Sequence, residues 1–392
     1  LITGFFLQYN FSSIGPDSLA YIYNGKQIFH DGLSEGTISE MVVRGIFLPL
    51  IQAGSVVISK SYLSTFSPLI SLSLFACVVY FSIHFSKSTS WIKNVINIFV
   101  SVLSSLVLIT IPIVVQHFYY IHTNLPSAAY YLIAVVSFWI SYNENENQWF
   151  TIGVIALLGF SILRIEAPIF AIALLIPLLQ NENTYTKKRL LILLPYMIFE
   201  ILFYLFLTYL LSGQSTYILS PYRSLAIVGI YLLFLLFVLL KKTKFIKPWI
   251  ICNISKLMIS GLTFGIIGFY IYKPVAMVST VRTIVENMFI SGCWGKAWFY
   301  ILPILLVAMV YPKRFQHEEY FFNNIVAFIL ILLLVDYQAY PIHYLNSGDS
   351  ANRIMLHILP IILFYITMKT KLFFEAYIDG KDLLGSNQHS ST

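Results

Sequence analysis

A few polar residues interrupt long apolar runs in this chain, and their types and order point to phosphate and hydroxyl chemistry. The first is Asp17, in Gly15-Pro16-Asp17-Ser18-Leu19-Ala20-Tyr21. A carboxylate at a membrane surface is either the N-cap of the helix it begins or a general base, and the two roles are compatible. The second is Arg164-Ile165-Glu166, at the turn of an apolar hairpin. It is either a self-compensating pair or an arginine aimed at a phosphate and held by its acid. The third is His122-Thr123-Asn124-Leu125-Pro126, a loop entering a helix. Asn124 caps that helix or binds a sugar hydroxyl, and Pro126 suits a first turn. His117 and His122 read as interfacial residues and not metal ligands, because the loop lacks a carboxylate to join them. The fourth is Asp349 to Pro360. Arg353 lies at the mouth of the last apolar run with His357 one turn deeper on the same face, so the two can grip a phosphate together. The alternative is Asp349 as the cap and Arg353 as a headgroup anchor. Arg282 and Glu286 form an i, i+4 pair of structural character, and Glu200 lies mid-helix with no partner apparent from sequence.

These residues need a scaffold, and composition names it. The 392-residue chain is 58% hydrophobic and 10% charged, where a soluble domain carries about 25% charged residues. Continuous apolar runs from end to end identify an all-α polytopic membrane protein and exclude an alternating-strand barrel. Eleven runs are expected to span: Leu63 to Phe85, Val95 to Val115, Leu125 to Ser141, Trp149 to Leu163, Ala167 to Leu179, Leu190 to Leu211, Leu225 to Leu240, Leu257 to Tyr272, Ala297 to Tyr311, Phe321 to Val335 and Ile354 to Met368. Leu1 to Tyr9 reads as the end of a further one, for about 11 to 12 in all. Residues 1–372 form one membrane domain. Within the loop 11–60, Asp17 to His30 and Met41 to Ser59 read as interfacial helices. Residues 373–392 read as a cytoplasmic tail, disordered from Lys381.

Five cationic clusters set the orientation: Lys87 with Lys93, Lys187 to Arg189, Lys241 to Lys247, Lys313 with Arg314, and Lys369 with Lys371. All fall on one side of the expected topology, which the positive-inside rule makes the cytoplasm. The net charge of +7 therefore needs no nucleic-acid partner. Asp17, His122, Asn124, Arg164 and Arg353 all fall on the opposite face. The three cysteines are widely separated and give neither a disulfide framework nor a metal spacing. No phosphate-cradling glycine loop, nucleophile elbow or metalloprotease helix occurs.

The order of these features resembles the GT-C superfamily of polytopic glycosyltransferases, of the protein-mannosyltransferase and aminoarabinose-transferase kind. Pro16-Asp17-Ser18-Leu19-Ala20-Tyr21, running on to Gly32, is similar to the acid motif of their first outer loop. Thr123-Asn124-Leu125-Pro126-Ser127-Ala128-Ala129 resembles a loop-to-helix motif, Arg164-Ile165-Glu166 an Arg-Pro-Glu corner, and Arg353 through Pro360 a late arginine before a proline-containing helix. The chain departs from the pattern at Asn124, where many members have a second acid, and at Asp17, which lacks an adjacent Glu. It also has no large soluble C-terminal domain.

The resemblance implies an inverting transferase in the plasma (inner) membrane with its site facing outside. Its donor would be a polyprenyl-phosphate-linked sugar and its acceptor a glycan, lipid or protein. Asp17 would be the base, Arg353, Arg164 and His357 would hold the donor phosphate, and Asn124, Glu166, His122 and Tyr21 would contact substrate. No cofactor is implied, and no metal ligand set is assigned. Three other classes stay open: a transporter or flippase of lipid-linked sugars, a polysaccharide polymerase or ligase, and an inactive lipid-binding homologue. The absence of a sequence repeat and the gathering of polar residues toward one face weigh against the transporter.

Overall fold

A computed structural model describes residues 16–32, 47–59, 76–78, 80–81, 91–119, 122–180, 186–210, 220–241, 246–312, 314–338, 344–346 and 348–389. The expected span Leu63 to Phe85 lies almost wholly outside them, as does Leu1 to Tyr9. Two helices precede the bundle, α1 (Pro16–Asp31) and α2 (Phe47–Ser59). They pack closely because Gly25 has no side chain. A Cβ there would come within 2.4 Å of the Gln52 Cβ and 3.1 Å of the Pro49 carbonyl.

The bundle then runs α3 (Trp91–Thr110), α4 (Pro112–Tyr119), α5 (Asn124–Glu144), α6 (Asn147–Leu163), α7 (Ala167–Leu175), α8 (Lys187–Leu210), α9 (Pro221–Leu240) and α10 (Pro248–Cys252). It continues with α11 (Ile254–Tyr272), α12 (Pro274–Glu286), α13 (Ala297–Val310), α14 (Glu318–Tyr337) and α15 (Ser350–His389). Among the described residues seven helices are long and apolar enough to cross a membrane: α3, α5, α8, α9, α11, α14 and α15. Asn147–Leu163, Ala167–Gln180 and Ala297–Val310 are apolar but shorter. The chain is thus an all-α, multi-pass membrane protein, with fewer full-length spans among the described residues than the 11 to 12 expected.

Three local expectations are corrected and one unassigned stretch is filled. The run Val95 to Val115 breaks at Ile111, because Pro112 cannot donate a helical hydrogen bond and disfavours helix in the residue before it. Lys273 to Lys296, left between two expected spans with no element assigned to it, is mostly α12, closed by a π turn at Asn287–Ser291. Asp17 lies inside α1, one residue after Pro16, and so is not the helix cap. Residues beyond Lys381 continue α15 to His389 instead of forming a disordered tail.

Interhelical contacts sort the bundle into two ends. At one end, buried Arg189 donates to the Ser141 carbonyl and to Asn147 Oδ1, tying α8 to the α5–α6 turn. Trp139 Nε1 donates to the Gln316 carbonyl. Lys369 Nζ meets Glu318 Oε1 at 2.9 Å and the Tyr311 carbonyl at 3.0 Å, while Tyr365 donates to the same carboxylate. This joins α13, α14 and α15. The described members of the cationic clusters that make these contacts, Arg189, Arg314 and Lys369, therefore share one end. The α5–α6 hairpin then rises to the other end. Its helices approach where Gly153 faces the Phe138 ring and Gly159 faces Tyr130.

Candidate functional site at the end opposite the lysines

Four chain segments meet at this second end. The start of α5 follows Thr123, which holds the N-cap position. Asn124 is therefore the first residue of the helix and not its cap. Asn124 instead accepts from Arg164 Nη1 at 3.0 Å through Oδ1. Arg164 is in extended backbone just past the end of α6, and its Nε donates to Glu166 Oε1 at 2.7 Å. Both side chains are nearly buried, at 13% and 14% exposure. The acid thus holds the guanidinium, and the guanidinium reaches across to a neighbouring helix.

Arg353, in the first turn of α15, donates through Nη1 to His122 Nε2 at 2.9 Å. A guanidinium only donates, so this ring nitrogen is the acceptor and His122 carries its proton on Nδ1. His122 and His117 are buried, not interfacial. Their rings meet edge to face with centroids 5.6 Å apart, and His117 Nδ1 donates to the Ile113 carbonyl at 2.9 Å. Asp349 caps α15, accepting from the Asn352 amide at 3.1 Å.

Tyr21 brings α1 to the same place. It is buried, its ring meets His122 with centroids 5.7 Å apart, and its hydroxyl lies 3.5 Å from Thr123 Oγ1. Asp17 is four residues earlier on α1; its side chain is outside the described residues.

His357, one turn below Arg353, is fully buried against Phe160, within electrostatic reach of Arg164, His122 and His117. Among the described residues neither of its ring nitrogens has a hydrogen-bond partner, and neither does Asn124 Nδ2 or Ser127 Oγ. Ser127 and Asn124 share a face of α5 with Tyr131, which packs on Phe160, which packs on His357. Each unpaired buried polar group costs about 1–3 kcal/mol. Such groups lie on the facing helices α5 and α15, close to the Arg353–His122 pair. Among the described residues no group of three or more His, Cys, Asp or Glu side chains is arranged to hold a metal.

The structure therefore gathers Tyr21, His122, Asn124, Arg164, Glu166, Arg353 and His357 at one end of the bundle. They form two bonded groups, Arg164 with Glu166 and Asn124, and Arg353 with His122 and the Tyr21 ring, joined through the 122–124 backbone, with His357 packed on Phe160 one turn below Arg353. Sequence reasoning missed Ser127, Thr123 and the support under Arg353. In that support Asn352 receives the Trp294 indole N–H and donates to the Gly292 carbonyl at 3.0 Å. Asn287 donates to the Tyr344 carbonyl at 2.8 Å. The π turn at Asn287–Ser291 and the left-handed backbone of Cys293 and Gly295 (φ 62° and 59°) shape this loop, and π turns are hard to foresee from sequence. No family model, curated protein or solved structure matches the chain.

Proposed function

We propose that the protein is a membrane glycosyltransferase of the GT-C kind that takes a sugar from a polyprenyl-phosphate donor on the extracytoplasmic face. The observation that carries this reading is the set of unpaired buried groups on Asn124, Ser127 and His357 beside Arg353. Phosphodiester and sugar oxygens are acceptors that would pair these donors, and a lipid-linked donor reaches a membrane-embedded site from the side. The gathering of the cationic clusters at the far end supports an outward-facing network by the positive-inside rule.

In this mechanism the acceptor hydroxyl attacks the anomeric carbon and gives its proton to Asp17. The bond between that carbon and the phosphate oxygen breaks, and the carbon inverts. Arg353 and His357 stabilise the charge that develops on the departing polyprenyl phosphate. Arg164, already held by Glu166, acts as a frame for Asn124 and adds positive field. Tyr21 and His122 link the α1 segment that carries Asp17 to the phosphate side.

The test uses purified full chain in nanodiscs with a panel of polyprenyl-phosphate sugars, following release of polyprenyl phosphate. Arg353→Ala is expected to lower release by about 10²–10³-fold while thermal stability is retained. Equal release by wild type and variant would remove Arg353 from the site, and no release with any donor or acceptor would sink the transferase reading.

A further inference from the structure

The α8 helix carries a buried polar stripe that the transfer chemistry does not use. Tyr196, Glu200 and Tyr204 recur every four residues and all are buried, in an otherwise apolar span. The two tyrosine hydroxyls lead to the Arg164–Glu166 corner, Tyr204 directly and Tyr196 through Tyr231.

At that corner the backbone cannot satisfy itself. The Ala167 amide donates to the Arg164 carbonyl, and the Ile169 amide donates to the Glu166 carbonyl, each at 3.2 Å. In a continuous helix the Ile169 amide would have served Ile165. The Ile165 carbonyl, buried, instead accepts from the Tyr204 hydroxyl. Three residues on, the Pro168 carbonyl accepts from Tyr231 of α9 at 3.2 Å.

The direction of the chain behind Tyr231 follows from its end point. A carbonyl only accepts, so Tyr231 gives its proton to Pro168 and receives one from Tyr196, 2.8 Å away. Tyr196 in turn receives from Ser161 Oγ at 3.0 Å. Ser161 lies on α6, three residues before Arg164. The hydrogen-bonded chain thus leaves α6, crosses α8 and α9, and returns to the first turn of α7, bracketing the corner from both sides. Chains of this kind stiffen because each bond polarises the next.

We infer that Tyr204 and Tyr231 are positioning residues: by holding the Ile165 and Pro168 carbonyls they fix the corner that sets Arg164 against Glu166 and Asn124. Their hydroxyls touch neither the network's ring nitrogens nor its guanidiniums, so any effect on ligand runs through Arg164. This role rests on the lipid-phosphate reading only for the choice of ligand probe.

The experiment compares Tyr204→Phe with wild-type full chain in nanodiscs. Phe keeps the ring and removes only the donor. Hydrogen–deuterium exchange of amides 164–169 is measured first, and is expected to rise selectively there and not along the rest of α8. Binding of a polyprenyl phosphate is measured second, and is expected to weaken about tenfold, whereas in an Arg164→Lys background the same change adds less than about twofold. Tyr231→Phe should show the same pattern. Unchanged exchange at the corner, or exchange rising equally over the whole bundle, overturns the positioning role. So does a loss of binding that is undiminished when Arg164 is already replaced. Selective exchange in a protein that binds no polyprenyl phosphate would leave the positioning role standing and remove the lipid-phosphate reading instead.

Discussion

Gly25→Ala tests whether the α1–α2 pair positions the site. A Cβ at residue 25 would lie 2.4 Å from the Gln52 Cβ and 3.3 Å from the Ala53 amide nitrogen. Neither neighbour can swing away, since one is the first side-chain atom and the other is backbone. Ordinary carbon contact begins about 1 Å further out, so α1 must withdraw from α2 by roughly that much, at a cost of about 1–3 kcal/mol. Tyr21 sits one turn before Gly25, and its 3.5 Å approach to Thr123 is already at the limit of a hydrogen bond. A 1 Å shift breaks it and loosens the ring contact with His122. Displacements of that size near a reacting centre cost on the order of 10²-fold in rate. The assay is release of polyprenyl phosphate by protein in nanodiscs, with thermal unfolding alongside. Gly54→Ala is the control, because a Cβ at Gly54 meets nothing within 4 Å. The reasoning predicts a large loss of release for Gly25→Ala, a fall of only several degrees in unfolding temperature that leaves the protein folded at the assay temperature, and no effect of Gly54→Ala. Indistinguishable activities for the two variants would refute it.

At the opposite end, Glu318→Gln leaves the buried Lys369 ammonium without its carboxylate and is expected to destabilise the fold by about 3–5 kcal/mol. The combined Glu318→Leu and Lys369→Met protein should lose less than either single variant, as thermal or denaturant unfolding will show. Gly159→Leu drives a side chain into the Tyr130 ring. It should separate α5 from α6 at a cost of about 1–3 kcal/mol, read in the same way. Although His317 is largely exposed, partial desolvation of its ring, which packs on Tyr142, lowers its pKa below the usual value. The unfolded chain therefore takes up the proton first as pH falls. His317 contributes stability fully at neutral pH and loses it as pH drops through the mid-6 range into the folded-state value. His317→Phe should flatten that part of the stability–pH curve, followed by unfolding between pH 7.5 and 5.

The spans were legible because each apolar run is bounded by charges or prolines. Asn124–Glu144 and Pro221–Leu240 fall within a few residues of the runs that mark them. The break at Ile111 was marked too, by Pro112, but the run's uniform hydrophobicity hid it. Polar residues of the site stood out as exceptions in apolar surroundings. Their convergence did not, since the Arg353–His122 bond joins residues 231 apart. His117 and His122 misled because a short loop beside a membrane helix suggests an interface, while packing of α1 over that loop buries them. Ser127 and Tyr231 gave no signal, because serine and tyrosine are ordinary in membrane helices and only the third dimension shows what each one faces. For Tyr204 the carbonyl it serves was equally hidden. The four-residue spacing of Tyr196, Glu200 and Tyr204 was the available clue.

The most direct measurement is a structure of the full chain in nanodiscs with a polyprenyl phosphate bound. The transferase reading predicts the phosphate within hydrogen-bonding distance of Arg353 and His357, with Asn124 Nδ2 or Ser127 Oγ completing its contacts and the lipid tail leaving between helices at that end. A phosphate held at the lysine-bearing end beside Arg314 and His317, with the Arg353 network untouched, would contradict it.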